Sequence, residues 1–181
     1  VNDLSEIQPE KGKDIVTTLD MRIQDIAHTS LKNSLIEHEA DFGAAVIMEV
    51  NTGAIKAMVN LDRGKNGSYW EAFNHAIGDA TEPGSTFKLA SMMALLEDGF
   101  IDIYDTVNIN HGRAMFGKFK MKDAEWRPWT NITIKHAFEI SSNVGIAKLI
   151  QEHYGDTKKG AQYIKRLKDF RLNLKTGIEI Q

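Results

Sequence analysis

Two apolar runs, "AAVIMEV" (44–50) and "AIKAMV" (54–59), joined by Asn51-Thr52-Gly53, constrain the fold of this chain more than any other stretch. Asparagine and glycine favour tight turns, and the flanking runs are rich in β-strand formers, so two connected strands are expected. The first run is almost continuously apolar, which predicts a strand covered on both faces. Upstream, "DIVTTLD" predicts a short strand over Ile15 to Leu19. From Asp20, a plausible N-cap, the apolar residues Ile23, Ala27, Leu31 and Leu35 recur every four positions and predict a helix. Residues 60–80 read as a loop-rich link with three glycines. A helix then starts around Ser85 and stops at Gly99. Residues 105–129 read as irregular and carry Trp126, Pro128 and Trp129. A helix from Thr133 is interrupted at Ser141-Ser142-Asn143 and resumes to about Tyr154-Gly155. A last helix runs from Asp156 to Phe170. The sum is a mixed α/β (α+β) chain whose second half is mostly helical.

With 181 residues the chain can bury one real core. We read residues 1–13 as a polar linker and 14–181 as one domain portion. The first residue is valine, so the chain is expected to be a piece of a longer protein. A net charge of −3 gives no global reason to expect nucleic acid as a partner. No apolar run approaches the roughly 20 residues that span a bilayer. The absence of cysteine excludes disulfides and thiolate metal sites. The histidines, at 28, 38, 75, 111, 136 and 153, show no ligand spacing. No metal and no cofactor are expected.

Chemistry concentrates in "TEPGSTFKLASMMALLEDG" (81–99). Three residues along a helix turn through about 300° and rise about 4.5 Å, so Ser85 and Lys88 share a face one turn apart. Serine needs an adjacent base to become a nucleophile. A lysine can be that base if its pKa falls from about 10.4 toward 7. Burial against Phe87, Leu89 and the Met92-Met93 pair is one source of such a fall. The free N–H groups of the helix start can stabilise an oxyanion beside Ser85. Pro83 fixes the entry, and Gly84 leaves open space beside the hydroxyl. The bland alternative is an ordinary helix start, since Ser-x-x-Lys is common by chance.

A second cluster, Ser141-Ser142-Asn143, lies in the break between two helical runs. Ser141 could relay a proton between the lysine and a leaving group, and Asn143 could hold a substrate amide. Helix capping by these residues is the alternative.

Four stretches in order, "TTLDMRIQDIAHTSL", "GAAVIMEVNTGAIKAMVN", "EPGSTFKLASMMALLEDG" and "ISSNVGIAKLI", resemble the first part of the transpeptidase domain of class B penicillin-binding proteins. The resemblance implies the α/β penicillin-binding and serine β-lactamase-like fold. It also implies a serine D,D-transpeptidase that takes peptidoglycan stem peptides as substrate and β-lactams as inhibitors. By this resemblance Ser85 is the acylated nucleophile, Lys88 its general base, and Ser141 and Asn143 the S-x-N pair. The family's third motif is K-T-G, and Lys175-Thr176-Gly177 matches it in letters. In the family that motif lies roughly twice as far beyond the nucleophile. We therefore read this copy as a loop outside the site, and expect the chain alone to carry half a site with little activity. The intact protein is expected to be membrane-anchored, with other cell-wall synthesis proteins as partners and its catalytic domain outside the cytoplasm. The competing readings are a class D-like serine β-lactamase and a penicillin-sensing receptor domain.

Trp126 and Trp129 suit either a peptide cleft or the core, and the core is the expectation. The lysines of the last helix read as a solvated face opposite Tyr163, Ile164, Leu167 and Phe170. His153 is expected to meet the dipole of a helix C-terminus.

Overall fold

A computed structural model describes residues 12–178. The linker expected at residues 1–13 falls, up to Lys11, outside them. The described residues form two compact units, 12–80 and 81–178.

In the first unit Asp20 caps helix α1 (Met21–Glu37), accepting from the N–H groups of Arg22 and Ile23 at 2.9 and 3.2 Å. The four-residue spacing then buries Ala27 and Leu35, with Ile23 and Leu31 packed beside them. Strands β1 (Phe42–Met48) and β2 (Ile55–Arg63) pair antiparallel, Ala45 opposite Val59. A two-residue β3 (Tyr69–Trp70) joins the far end of β2, and a short α2 (His75–Gly78) follows. Residues 60–80 are thus more regular than a link. The distribution of burial corrects the expectation for the first strand. Ala57, Val59 and Leu61 of β2 are 0% exposed, whereas Val46, Ile47 and Met48 of β1 are exposed. Among the described residues β1 is an edge strand, and α1 covers the central strand first. Nor does Ile15–Leu19 form a strand. Thr18 Oγ1 and the Asp20 N–H reach the sheet, bonding the carbonyls of Ile55 and Lys56, while Ile15 and Val16 are exposed. β-branched residues do not make a strand without a ladder to join.

His75 is clasped by two carboxylates in this unit: Nδ1 lies 2.7 Å from Asp79 and Nε2 2.9 Å from Asp62, with Phe42 stacked on the ring. The hydrogen bond to Asp79, joined by Asp62 and opposed by burial, raises its pKa. A raised histidine pKa stabilises the fold fully below the unfolded value and loses that contribution as pH rises through the folded value. The urea midpoint of the parent should therefore fall toward that of His75→Gln as pH rises from about 6 to 9. A difference that stays constant with pH would contradict this.

In the second unit a 3₁₀ turn (Gly84–Thr86) leads into α3 (Phe87–Glu97), and Gly99 at φ +67° ends it. Strand β4 (Thr106–Asn108), a 3₁₀ turn (Asn110–Gly112) and a hairpin of β5 (Arg113–Phe116) and β6 (Phe119–Lys122) follow. Strand β7 (Asn131–Thr133) pairs with β4. The stretch expected to be irregular thus holds three strands, each too short for alternation to stand out in the sequence. Helices α4 (Ile134–Glu139), α5 (Asn143–Tyr154) and α6 (Thr157–Asp169) complete the unit. Thr133, Ser142 and Asp156 cap them through their side chains.

The core gathers Met92, Ala94 and Leu95 of α3 with Val107, Ile109, Ile132, Ile134, Ala137 and the α5 residues Val144, Ile146 and Leu149. Asp98 pins α6 beside it: its side chain is 2% exposed, receives Arg166 Nε at 3.0 Å, and accepts from the Tyr154 hydroxyl. Burial pushes the Asp98 pKa up, but the bonds from Tyr154 and Arg166 outweigh it and hold the group below its ordinary value. Tyr163 and Phe170 face this core, while Ile164 is half exposed instead of buried. Trp126 and Trp129 are not core residues. Both are exposed, Trp126 stacked on His111 and Trp129 edge-on to His136. His153, in the last turn of α5, stacks on Phe100.

Candidate active site

All four candidate residues lie in the second unit. Pro83 enters at φ −66°, and Gly84 takes φ +57°, a left-handed conformation in which a side chain is strained. Space is not the constraint, since a Cβ on Gly84 would meet nothing within 4 Å. The glycine is needed for its backbone, and the same opening leaves Ser85 exposed at the start of the helix. The tight 3₁₀ turn is where the regular α-helix was expected to begin. One turn on, Lys88 reaches across to the α4–α5 break. Its Nζ lies 2.7 Å from the Ser141 carbonyl and 2.9 Å from the Ser141 Oγ.

That break is built for the contact. Ser141 has φ +53°, so the chain reverses there and its carbonyl and hydroxyl turn to the same partner. Ser142 is 0% exposed and caps α5 by accepting from the Gly145 N–H at 2.9 Å. Gly145 is required for closeness: a Cβ there would stand 3.1 to 3.3 Å from Ala137, Ser142 Oγ and Ile109. Asn143 donates through Nδ2 to the Lys122 carbonyl at 3.1 Å, and among the described residues nothing donates to its amide oxygen. Capping is thus the work of Ser142, and Ser141 and Asn143 are left for other partners.

Lys88 and Asn143 line one open cleft of about 320 Å³, shared with Ser91, Met121, Ile146, Ala147, Ile150 and Tyr163. Burial holds the Lys88 pKa below the ordinary lysine value, against an opposing pull from Asp123. The expected source of that burial needs correction. Phe87, Leu89 and Met93 are exposed and only Met92 of the four is buried, while the apolar groups that share the cleft with Lys88 come from β6, α5 and α6.

Sequence reasoning missed Asp123, 3% exposed, which bonds both Ser142 and the Val144 N–H. It also missed Arg127, whose Nη2 donates to the Ile140 carbonyl at 3.1 Å, just ahead of Ser141. A lone Asp and a lone Arg in a stretch read as irregular carry no signal. The hairpin that delivers Asp123 does have one, the turn glycine Gly117 between "RAMF" and "FKMK". Lys175-Thr176-Gly177 is exposed and irregular, and among the described residues makes no hydrogen bond to Lys88, Ser141 or Asn143.

Residues 43–181 match the family model described as the penicillin binding protein transpeptidase domain. The chain belongs to that family. The PenA protein of Neisseria flavescens is 32% identical over 146 residues, 78% of this chain and 36% of that relative. The peptidoglycan D,D-transpeptidase FtsI of Escherichia coli is 29% identical over 154 residues, 82% of this chain and 26% of FtsI. The chain therefore spans about a quarter to a third of the length of these relatives. In fold it is similar to penicillin-binding protein 2B of Streptococcus pneumoniae, with TM-score 0.72 at 21% identity, covering 93% of this chain and 31% of that one. The transpeptidase domain of Burkholderia pseudomallei penicillin-binding protein 3 gives TM-score 0.69 at 21% identity over 88% of this chain and 43% of that one. The α/β penicillin-binding fold expected from the sequence is the fold found. The matches favour a transpeptidase over the β-lactamase and sensor readings. Among the described residues no helix is long and apolar enough to cross a membrane.

Proposed function

We propose that the protein is a peptidoglycan D,D-transpeptidase and that Ser85 is its acylated nucleophile. The observation that carries this reading is the double contact of Lys88 Nζ with Ser141, one helical turn after an exposed serine at a helix start. A neutral amine has two N–H donors, enough for both Ser141 acceptors, and one lone pair left to take the Ser85 proton. The Ser85 oxygen attacks the carbonyl of the D-Ala-D-Ala peptide bond while Lys88 accepts the proton. The N–H groups of the helix start favour the resulting oxyanion. Ser141 passes the proton from Lys88 to the departing D-alanine nitrogen, and an ester on Ser85 remains. The amine of a neighbouring stem peptide then attacks this ester, and the Ser85 oxygen leaves with a proton returned through Lys88. In a β-lactam the broken amide lies in a ring, so the leaving nitrogen stays attached and the ester persists. Asn143, on the cleft wall, holds a substrate N–H through its amide oxygen.

The reading requires the domain to work outside the cytoplasmic membrane, where stem peptides are cross-linked, on a membrane-held protein acting with other cell-wall enzymes. The test is incubation of the natural-length protein with a fluorescent penicillin, followed by peptide mapping. One adduct on the peptide containing Ser85, lost in Ser85→Ala, is the expected result. An adduct elsewhere, or one that survives in Ser85→Ala, would overturn the assignment.

A further inference from the structure

The Asp123 carboxylate is buried, and the two oxygens are both taken up by the start of α5. Oδ2 accepts from the Ser142 hydroxyl at 2.8 Å, and Oδ1 from the Val144 N–H at 2.9 Å. It is braced from behind. The Asp123 N–H donates to the Gly112 carbonyl at 2.9 Å, and a Cβ on Gly112 would come within 3.0 Å of the Asp123 Cβ. The preceding residue, Lys122, supplies the carbonyl that Asn143 holds. Two consecutive residues at the end of β6 therefore grip Ser142, Asn143 and Val144, the residues directly after Ser141.

A helix N-cap needs only the Ser142 hydroxyl. Adding a buried carboxylate is costly unless every oxygen is bonded, and a helix start is where a negative charge is best tolerated. What this arrangement fixes is the break itself. Ser141 holds φ +53° immediately ahead of the clamped turn, and its carbonyl and hydroxyl are the two partners of Lys88. Through Ser142, next in sequence to the Ser141 that Lys88 holds, the Asp123 charge also lies near enough to act on the Lys88 amine, favouring its protonated form against burial. From α6, Tyr163 reaches the same cleft but is bonded to Ser91, and the Asp98–Arg166 pair lies at the opposite end of α3.

We infer that Asp123 is a positioning residue of the transpeptidase site: it clamps the first turn of α5 so that Ser141 stays on the Lys88 amine, and its buried negative charge acts on that amine from behind the clamp. The inference rests on the function proposed above. Removing the charge has a definite sign. Without Asp123 as a carboxylate, Lys88 gives up its proton more easily, so the acid limb of the acylation rate moves to lower pH. Loosening Ser141 lowers the rate at every pH, because a small misplacement of a proton-transfer partner costs up to about a hundredfold.

The experiment measures acylation by a fluorescent penicillin against pH, with thermal midpoints, for the natural-length parent, Asp123→Asn and Ser142→Ala. Asp123→Asn should acylate about 10- to 100-fold more slowly on the plateau, with binding before acylation unchanged and the acid limb displaced to lower pH. Ser142→Ala keeps the carboxylate, so it should lose rate without moving the acid limb. A lower midpoint in Asp123→Asn with parental rate and acid limb would reduce Asp123 to a structural brace and overturn the inference. Should Asp123→Asn not fold, a folded Ser142→Ala with parental acylation would overturn it equally, and a slowed one would support the clamp. A parent that takes up no penicillin would overturn the transpeptidase reading, whereas an acylated parent with indifferent variants would overturn only the role of Asp123.

Discussion

Lys88→Met is expected to slow acylation of Ser85 by about 10²–10⁴-fold, the range for losing a positioned general base. Methionine fills much of the same volume beside Met121 and Ile146, so packing is largely kept while the amine is lost. Lys88→Arg separates base from cation. Arginine keeps the positive charge and can still donate to Ser141, but it cannot be deprotonated in a protein. If Lys88 acts as base, the arginine variant is as slow as the methionine variant. If the site needs only a cation there, arginine restores most of the rate and the base assignment fails. The measured quantity is the second-order rate of adduct formation with a fluorescent penicillin. In the parent this rate should rise with pH over a range below that of an ordinary lysine, because burial lowers the Lys88 pKa and lets the neutral amine form earlier.

The second large effect concerns stability. Leu95 of α3 is 0% exposed and belongs to the same cluster as Val144, Ile146 and Leu149 of α5. Leu95→Ala should cost about 2–5 kcal/mol of unfolding free energy, the lost transfer of the side chain plus the cavity it leaves. Its neighbours are held by α3, α5 and the β4–β7 pair, which limits collapse into the gap. Urea unfolding followed by circular dichroism measures this, and a loss below about 1 kcal/mol would mean that the core is not packed as described. Leu95 also lies two turns from Lys88 on α3, the helix that the 3₁₀ turn of Ser85 leads into. The variant should therefore lose acylation rate earlier on warming than the parent does.

Much of the fold was legible because local signals agreed with each other. Asp20 ahead of a four-residue apolar repeat, Asn51-Thr52-Gly53 between apolar runs, and Gly99 after α3 each state a start, turn or stop through backbone preference alone. Two errors came from reading burial off composition. The run 44–50 is apolar, yet β1 is an edge strand among the described residues, since which strand is covered depends on what packs over it. Trp126 and Trp129 are large and apolar, yet both lie exposed against histidines. The hairpin of β5 and β6 was missed because four residues per strand give periodicity too little length to register.

For the candidate site, the sequence by itself determined which reactive side chains stand close together along the chain. Ser85 and Lys88 are three residues apart, the first in a 3₁₀ turn that runs directly into the helix carrying the second, so they lie one turn apart by local geometry, and Ser141 and Asn143 share one break between helices. Which atoms would meet across 53 residues, Lys88 Nζ with the Ser141 carbonyl and hydroxyl, only the tertiary structure decided. It also decided that Asp123, on a separate hairpin, would lie beneath that contact. The physical reason is the range of the forces involved. Backbone geometry acts over one turn and is written locally, whereas burial, long-range hydrogen bonds and the lowered lysine pKa exist only once β6, α3 and α5 have packed together.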